Sequence, residues 1–167
     1  MKNPFIVFIF LIFLSACDFS VEINTGKDRE QDRNSLAKTL DDWHQAAANA
    51  DFDTYFSWMD DDAVFVGTDA SEVWNKKEFM EFSKPYFDQG KAWSFKKINR
   101  NIYWDESHSK IAWFDETLDT WMGVCRGSGV LVKKNNKWLI KHYVLSMTIP
   151  NDKVKEVMRV LKMPNSN

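Results

Sequence analysis

The sequence predicts an α+β domain, in which N-terminal helices pack on a curved antiparallel sheet and a short helix closes the chain. Apolar residues recur at helical spacing up to Gly90, β-branched and aromatic residues dominate from Trp93 to Ile149, and Pro150 ends that region. Because the helices precede the strands instead of alternating with them, an α+β arrangement is favoured over a parallel α/β one.

Three helices are predicted before Gly90. The first begins at Ser35, a residue type that caps helices well, and continues as an apolar stripe. The second begins at Asp51 and is broken by a run of three aspartates. The third begins at Asn75, where Glu78 completes a capping-box pattern, and it ends at Gly90.

The second half of the chain is predicted to form a meander of strands. Asn135-Asn136 suits the two-residue turn between the last two strands. After Pro150, Asn151 is a candidate cap for a closing helix. The apolar residues of that helix are Val154, Val157, Met158 and Leu161. The predicted strands cover residues 63–66, 93–104, 110–121, 126–134 and 137–149.

The N-terminus has the pattern of an export signal. A lysine at position 2 precedes an unbroken apolar run from Phe5 to Leu14, which is shorter than the roughly 20 residues that span a bilayer. The run ends in Leu14-Ser15-Ala16-Cys17, which resembles the lipobox of bacterial lipoproteins. That resemblance implies cleavage before Cys17, a diacylglycerol on its thiol and a fatty acyl chain such as palmitate on the new amine. More than one acyl chain gives stable anchoring.

The chain therefore divides into three predicted segments. Residues 1–16 form a lipoprotein signal peptide, residues 17–33 the lipidated cysteine with a flexible polar tether, and residues 34–163 one folded domain. We expect a membrane-anchored protein of the cell envelope, on the periplasmic or other extracytoplasmic side. Which membrane carries the anchor is left open.

Composition argues against several kinds of partner. The net charge is −2 and no basic cluster stands out, so a nucleic-acid surface is not expected. Spacings typical of metal ligands, such as HxxxH or CxxC, are absent from the sequence, so neither a metal nor another cofactor is expected. Cys125 is the only cysteine besides Cys17 and is interpreted as a small packed residue.

The order of elements resembles the nuclear transport factor 2-like superfamily, and most closely its SnoaL-like branch, which is related to ketosteroid isomerase. This resemblance extends from Asn34 to Asn151 and implies a cone-shaped fold, a pocket between sheet and helices, and a homodimer. Enzymes, binding modules and assembly domains all use this fold, so the fold alone does not give the function. The stretches that carry the resemblance are residues 50–53, 67–69, 72–74, 111–114, 126–131, 138–143 and Ser146.

Strand pairing predicts a pocket around His142. With a turn at Asn135-Asn136, His142 lies opposite Gly129 on the mostly apolar face that covers the helices. A preceding turn centred on residues 123–124 puts Glu116 on the same face, opposite Leu131, and Gly127 and Gly129 beside His142 leave space unfilled. A histidine and a carboxylate in such a cavity could act as general base and acid. A histidine on an apolar face is more often structural, and both interpretations stay open.

Other residues are candidates for the same pocket. Trp74 is expected to line it, and His44 of the first helix could approach it. Asp115 is a reserve candidate, because a one-residue slip of its strand would exchange the two faces. His108 is expected in a solvated turn.

The opposite face of the sheet suggests an anion site or a dimer surface. Arg126 is expected opposite Trp121 and diagonal to Asp119, so a cation–π contact and an ion pair are both open to it. Tyr143 is expected on the same face. Aromatic residues and arginine are favoured in protein interfaces, so the dimer interpretation is preferred.

Three functions follow in order of preference. The first is binding of a small apolar or amphipathic molecule in the pocket, without catalysis. The second is an enzyme of the isomerase, cyclase or dehydratase type, with His142 as base and Glu116 as acid. The third is a dimeric assembly module. The Asp, Tyr and protonated Asp with which ketosteroid isomerase works cannot be placed in this sequence.

Overall fold

The computed structural model describes residues 19–104 and 110–162, with side chains from Arg29 onward. The predicted signal peptide, the lipid-attachment residue Cys17 and His108 lie outside the described residues. From Ser35 onward the described residues form one compact unit.

In chain order the elements are α1 (Phe19–Ala48), α2 (Phe52–Ser57), β1 (Met59–Val66), β2 (Val73–Asn75), α3 (Lys76–Asp88), β3 (Lys96–Trp104), β4 (Ile111–Thr120), β5 (Gly123–Lys134), β6 (Lys137–Met147), a 3₁₀ turn (Asn151–Lys153) and α4 (Val154–Leu161). The six strands form a single sheet in the order β2-β1-β6-β5-β4-β3. Strands β1 and β6 are parallel, whereas all other neighbours are antiparallel. The predicted α+β fold is confirmed, but the sheet is mixed and not purely antiparallel.

The apolar stripe of α1 forms one side of the core, as its spacing predicts. Leu36, Leu40, Trp43 and Ala47 are fully buried, and each such side chain contributes about 1.5–3 kcal/mol when it leaves water, except the smaller alanine. The helix continues through Ser35 from Phe19, so the predicted N-cap at Ser35 was wrong. Glutamate, glutamine and arginine before it are good helix formers and do not stop a helix. The proposed role of residues 17–33 as a tether stays a prediction.

The other predicted helices differ in how well their ends were placed. The capping box of α3 is confirmed: Asn75 Oδ1 accepts from the Glu78 amide at 3.0 Å, and Glu78 Oε2 accepts from the Asn75 amide at 2.9 Å. Gly90 follows the helix with φ of +66°, a conformation that glycine adopts at low cost. The helix α2 is shorter than expected, because the chain enters β1 at Met59.

The three aspartates at 60–62 lie inside β1 and do not end the preceding helix, which corrects that prediction. Asp60 is completely buried, and its carboxylate pairs with Lys134 Nζ at 2.6 Å. Lys141 lies beside it and also pairs with Asp62. A buried carboxylate is tolerated when cations neutralise it, so these lysines allow an acidic run inside a strand.

Strand β6 contains one extra residue, which overturns the predicted position of His142. Tyr143 pairs with Gly129 and His142 with Val130, whereas the next pair is Leu131 with Ile140. Lys141 is therefore the extra residue of a bulge, at the point where the pairing of β6 with β1 is also irregular. Such an insertion turns over every later side chain. Tyr143 faces the core, and His142 lies half-buried on the other face.

The turn between β4 and β5 lies two residues earlier than predicted, since Thr120 pairs with Gly123 and leaves residues 121–122 as the turn. Glu116 consequently lies opposite Gly127 and not opposite Leu131. The change in register is even, so each side chain stays on its predicted face. Glu116 is buried toward the helices, and the reserve candidate Asp115 remains on the outer face.

The closing helix α4 forms where predicted but does not cover the core. Pro150 precedes the 3₁₀ turn and no side chain caps it, so the predicted cap at Asn151 was wrong. Met158 and Leu161 of the apolar stripe are exposed, the latter by 72%. Among the described helices, none combines the length and the apolar character needed to cross a membrane.

Candidate functional site

An open groove lined by aromatic rings lies among the described residues. It consists of a cavity of about 160 Å³ and an adjoining one of about 390 Å³, which share Phe82, Trp93 and Trp121. We call it the aromatic groove. Its rings come from β1, β2, α3, the segment before β3 and the β4–β5 turn: Phe65, Trp74, Phe79, Phe82, Tyr86, Trp93, Phe95 and Trp121.

The rings of the groove are already arranged as stacks. Phe65 and Phe79 lie 4.0 Å apart between centroids with planes 14° from parallel, and Trp74 stacks on Phe82 at 4.5 Å. Trp93 stacks on Phe79 at 5.7 Å. These contacts fix flat, apolar surfaces in place before any molecule binds. Trp74, which the sequence placed in a pocket, lines this groove.

Trp121 stands at the rim of the groove and is 83% exposed. It lines both cavities from the turn between β4 and β5. Thr120 Oγ1 accepts from the Met122 amide at 3.0 Å and donates to the Gly123 carbonyl at 2.9 Å, so the turn is well defined. The sequence placed Trp121 opposite Arg126. The shifted turn moves it to the groove.

A second feature is a buried carboxylate surrounded by donors. Glu116 is 1% exposed, and its Oε1 is 2.7 Å from His44 Nε2 and 3.3 Å from the donating hydroxyl of Tyr143. Its Oε2 accepts from Arg100 Nε at 2.8 Å. We call these four residues the Glu116 cluster. Both carboxylate oxygens are paired, which offsets a desolvation cost of several kcal/mol.

Regular structure explains why the Glu116 cluster assembles. Arg100 of β3 is the direct cross-strand partner of Glu116 in β4. Above them, α1 presents Ala37, Asp41 and His44 at helical spacing on one face. Arg100 Nη1 donates to the Ala37 carbonyl at 3.0 Å and to Asp41 Oδ1 at 2.8 Å, so one arginine connects the helix to the sheet.

The electrostatics keep Glu116 ionised and Tyr143 protonated. Burial alone raises the pKa of Glu116, but the hydrogen bond with His44 and the charge of Arg100 outweigh it and hold that pKa below its usual value. Burial, together with the charge of Glu116, raises the pKa of Tyr143 well above its usual value. Burial likewise raises the pKa of Asp41, yet Lys97 and Arg100 lower it overall. The cluster is thus a set of matched charges and one phenolic donor.

His44 connects this cluster to solvent. Its side chain is 8% exposed and lines a cleft of about 340 Å³ together with Asp41, Gln45 and Phe95. A histidine whose ring is oriented by a buried carboxylate has the arrangement of an oriented general base. His44, and not His142, is the histidine that the structure brings to Glu116.

Two glycines that the sequence assigned to a pocket floor serve packing instead. A Cβ on Gly127 would overlap the Tyr143 hydroxyl, and a Cβ on Gly129 would overlap the His142 carbonyl and crowd the Phe114 ring. The space above these glycines is therefore occupied by Tyr143 and Phe114. Neither glycine lines the aromatic groove.

The predicted outer-face set does not assemble as expected. Arg126 is exposed opposite Thr117, and Asp119 lies opposite Val124. Asp115 accepts from the Tyr103 hydroxyl at 3.0 Å on the same outer face. Tyr143, predicted there, is in the core because of the bulge at Lys141. The prediction that Arg126 faces Trp121 and Asp119 was wrong because the turn between β4 and β5 lies two residues earlier than predicted.

Sequence reasoning missed Arg100 and gave His44 only a minor place. The available signal was spacing: Asp41 and His44 border the apolar stripe of α1, so they must lie near its buried edge. To pair Arg100 with Glu116, the sequence would have had to give the register between β3 and β4, which are joined through residues 105–109. Within residues 19–104 and 110–162, no three His, Cys, Asp or Glu side chains are grouped so as to hold a metal ion.

Comparison with known proteins gives a consistent family. The SnoaL-like domain family matches residues 36–150. No curated protein matches the chain. Among solved structures, a proposed dehydratase of the nuclear transport factor 2-like family from Streptomyces avermitilis has a TM-score of 0.62 and 12% identity, covering 73% of this chain and 99% of that one.

Two further structures are similar to the same extent. A proposed scytalone dehydratase from Novosphingobium aromaticivorans has a TM-score of 0.62 and 10% identity, covering 74% of this chain and 89% of that one. A nuclear transport factor 2-like protein of unknown function from Pseudomonas putida has a TM-score of 0.59 and 12% identity, with coverages of 72% and 89%. At these identities the similarity shows a shared fold and carries no reaction over.

Proposed function

Since the chain belongs to the SnoaL-like domain family, we propose that its domain binds a small, largely apolar molecule with a planar ring in the aromatic groove. The binding takes place at a membrane surface, where lipid on Cys17 holds the protein. The domain acts as a binding module of the cell envelope, on the extracytoplasmic side.

The observation that carries this proposal is the exposure of Trp121 at the rim of the groove. An indole that is 83% exposed leaves most of its large apolar surface in water, and its turn holds it beside two cavities lined with rings. Exposed apolar surface next to a preformed concavity is typical of a ligand site. A planar molecule that slides between Trp121 and Trp93 would cover both indoles.

The binding proposal is tested by native mass spectrometry of the full chain, extracted gently from its own host. The wild type is expected to retain a small molecule, and Trp121→Ala is expected to lose it. Trp113→Ala is the matched control, because Trp113 is also an exposed tryptophan but lies on the outer face of the sheet. If Trp121→Ala retained the small molecule as well as Trp113→Ala does, the aromatic groove would be excluded as the binding site.

The lipobox Leu14-Ser15-Ala16-Cys17 supports the anchoring proposal. Cys17→Ser is expected to move the protein from the membrane fraction to the soluble fraction after export. Mass spectrometry of the N-terminal peptide is expected to find acyl chains on Cys17 in the wild type. An unmodified thiol on a membrane-free protein would reject the anchor and leave the groove untouched.

A second candidate function is proton transfer by the Glu116 cluster, in an enzyme of the isomerase, cyclase or dehydratase type. The distance of 2.7 Å between His44 Nε2 and Glu116 Oε1 favours it, since the carboxylate would orient the imidazole as a base. With a molecule recovered from the groove as substrate, His44→Asn would abolish turnover and His142→Asn would not. Full turnover by His44→Asn would remove this candidate.

A homodimer remains a proposal from the family resemblance. The outer face supports it with Tyr103 and Trp113, which stack at 6.2 Å and are each about half exposed. Aromatic side chains of this kind are favoured at interfaces. Native mass spectrometry of the same preparation gives the oligomeric state, and a monomer at micromolar concentration would reject a stable dimer.

A further inference from the structure

The two ends of the aromatic groove differ in charge. The first cavity, where Phe65 and Trp74 lie, includes Glu72, whose carboxylate accepts from the Asp69 amide at 3.1 Å. The second cavity includes Lys91 as its one charged lining residue, among rings and small residues. The shared rings of Trp93 and Trp121 lie between these ends.

Lys91 differs from the three lysines of α3 because no carboxylate of the described residues pairs with its ammonium group. Lys76 pairs with Asp61, Lys77 with Glu81 and Lys84 with Asp88. Lys91, just after the turn at Gly90, forms no ion pair within the described part of the chain. An unpaired ammonium at the edge of an apolar cavity in a protein of net charge −2 is a local site for an anion.

On the basis of the proposed function, we propose that the ligand of the aromatic groove is an aromatic acid, with its carboxylate at Lys91 and its ring system directed toward Trp74. Glu72 repels an acid from the first cavity and Lys91 attracts one to the second, so the ligand has a single orientation. Ser94, which lines the second cavity, supplies a hydroxyl donor near the same end. A cation would meet Lys91 unfavourably, and a neutral ring compound would bind without this selectivity.

The probes are 2-naphthoate and 2-naphthylmethanol, which share a ring system and differ in the acid group. Their dissociation constants are measured by isothermal titration calorimetry with the full chain in lipid nanodiscs, and empty nanodiscs serve as the blank. The wild type is expected to bind the acid about three- to fivefold more tightly than the alcohol, the size of effect that a partly exposed ion pair gives. The preference is expected to shrink as salt screens the pair.

Variants separate the acid site from the groove itself. Lys91→Gln is expected to bind both probes equally, and Lys91→Arg to keep the preference. Lys77→Gln, the matched control, removes the same charge from exposed helix surface outside the groove and should leave the preference unchanged. Trp121→Ala should weaken both probes by a similar factor.

The outcomes distinguish the two proposals. Equal binding of acid and alcohol by the wild type, or a preference that survives Lys91→Gln, overturns the acid site, while Trp121-dependent binding of both probes still supports the groove. Absence of Trp121-dependent binding of either probe overturns the groove and the acid site together.

Discussion

The aromatic groove and the Glu116 cluster lie in the same domain but are built on opposite principles. The groove is made of rings whose stacking tolerates an open side, and its rim residue Trp121 remains in water. The cluster is made of charges that are buried, and each member is needed to offset the burial of the others. Apolar surfaces lose their stabilisation gradually when they are trimmed, whereas a charge network fails as soon as one partner is missing.

The sharpest way to break the comparison is to remove the cation of the cluster. Arg100→Met leaves Glu116 and Asp41 without their shared partner, and we expect a loss of about 3–5 kcal/mol in the free energy of unfolding. Urea denaturation measures it. Lys38→Met is the control. Lys38 pairs with Asp42 on the exposed side of α1, so its replacement should have little effect on the free energy of unfolding. Equal effects of the two variants would contradict the distinction.

Removal of one of the other two donors to Glu116 should cost less. His44→Ala takes one donor from Glu116 Oε1 and leaves those of Arg100 and Tyr143, so we expect about 1–3 kcal/mol of destabilisation. Tyr143→Phe removes the longer hydrogen bond, of 3.3 Å, and should cost about 0.5–1.5 kcal/mol. Urea denaturation of both variants tests this order, and a larger effect of Tyr143→Phe would reverse the assigned roles.

Acid should weaken the cluster and spare the groove. The pKa of Glu116 is lower in the folded protein than its ordinary value of 4.5, so its contribution to stability is present above pH 4.5 and is lost as the pH falls through the folded-state pKa. Thermal unfolding between pH 7 and pH 3 is expected to show this loss, with a smaller slope for Glu116→Gln. Glu156→Gln on the exposed helix α4 controls for the amide change. An unchanged slope in Glu116→Gln would mean that other carboxylates cause the acid sensitivity.

The smallest effect on stability is expected at the rim of the groove. Trp121→Ala removes an exposed ring from a turn held by Thr120, so the free energy of unfolding should change by no more than about 0.5 kcal/mol. The same variant is expected to lose binding. A destabilisation of several kcal/mol in a urea titration would show that Trp121 is a structural residue.

Local rules were enough to predict most elements but not how they meet. The capping box at Asn75 and the stripe of α1 depend on residues within one or two turns, and both were predicted correctly. The bulge at Lys141 depends on β1, which lies about 80 positions earlier in the chain, and on buried Asp60. No pattern within β6 signals it, so His142 was placed on the wrong face.

The candidate site shows the same division. Alternation places Glu116 on the inward face, where it is buried, and Trp74 lines the groove, but the two do not share the pocket with His142 that the sequence predicts. The partner of Glu116 was wrong, since His44 is 72 positions away and reaches it only through the packing of α1 on the sheet. The sequence placed Trp121 on the outer face of the sheet and not at the rim of the aromatic groove, because the turn between β4 and β5 lies two residues earlier than predicted.

The bulge at Lys141 also determines how relatives of different length can be compared. In a strand without a bulge, side chains alternate between the two faces. A relative that lacks the residue at position 141 would have one outward residue between its counterparts of Ile140 and Tyr143, so its tyrosine would still face the helices. A relative of equal length with a straight strand would instead turn the residue at position 142 inward. Aligned positions beyond the bulge can therefore lie on opposite faces of the sheet, and a one-residue gap marks those relatives in which they lie on the same face.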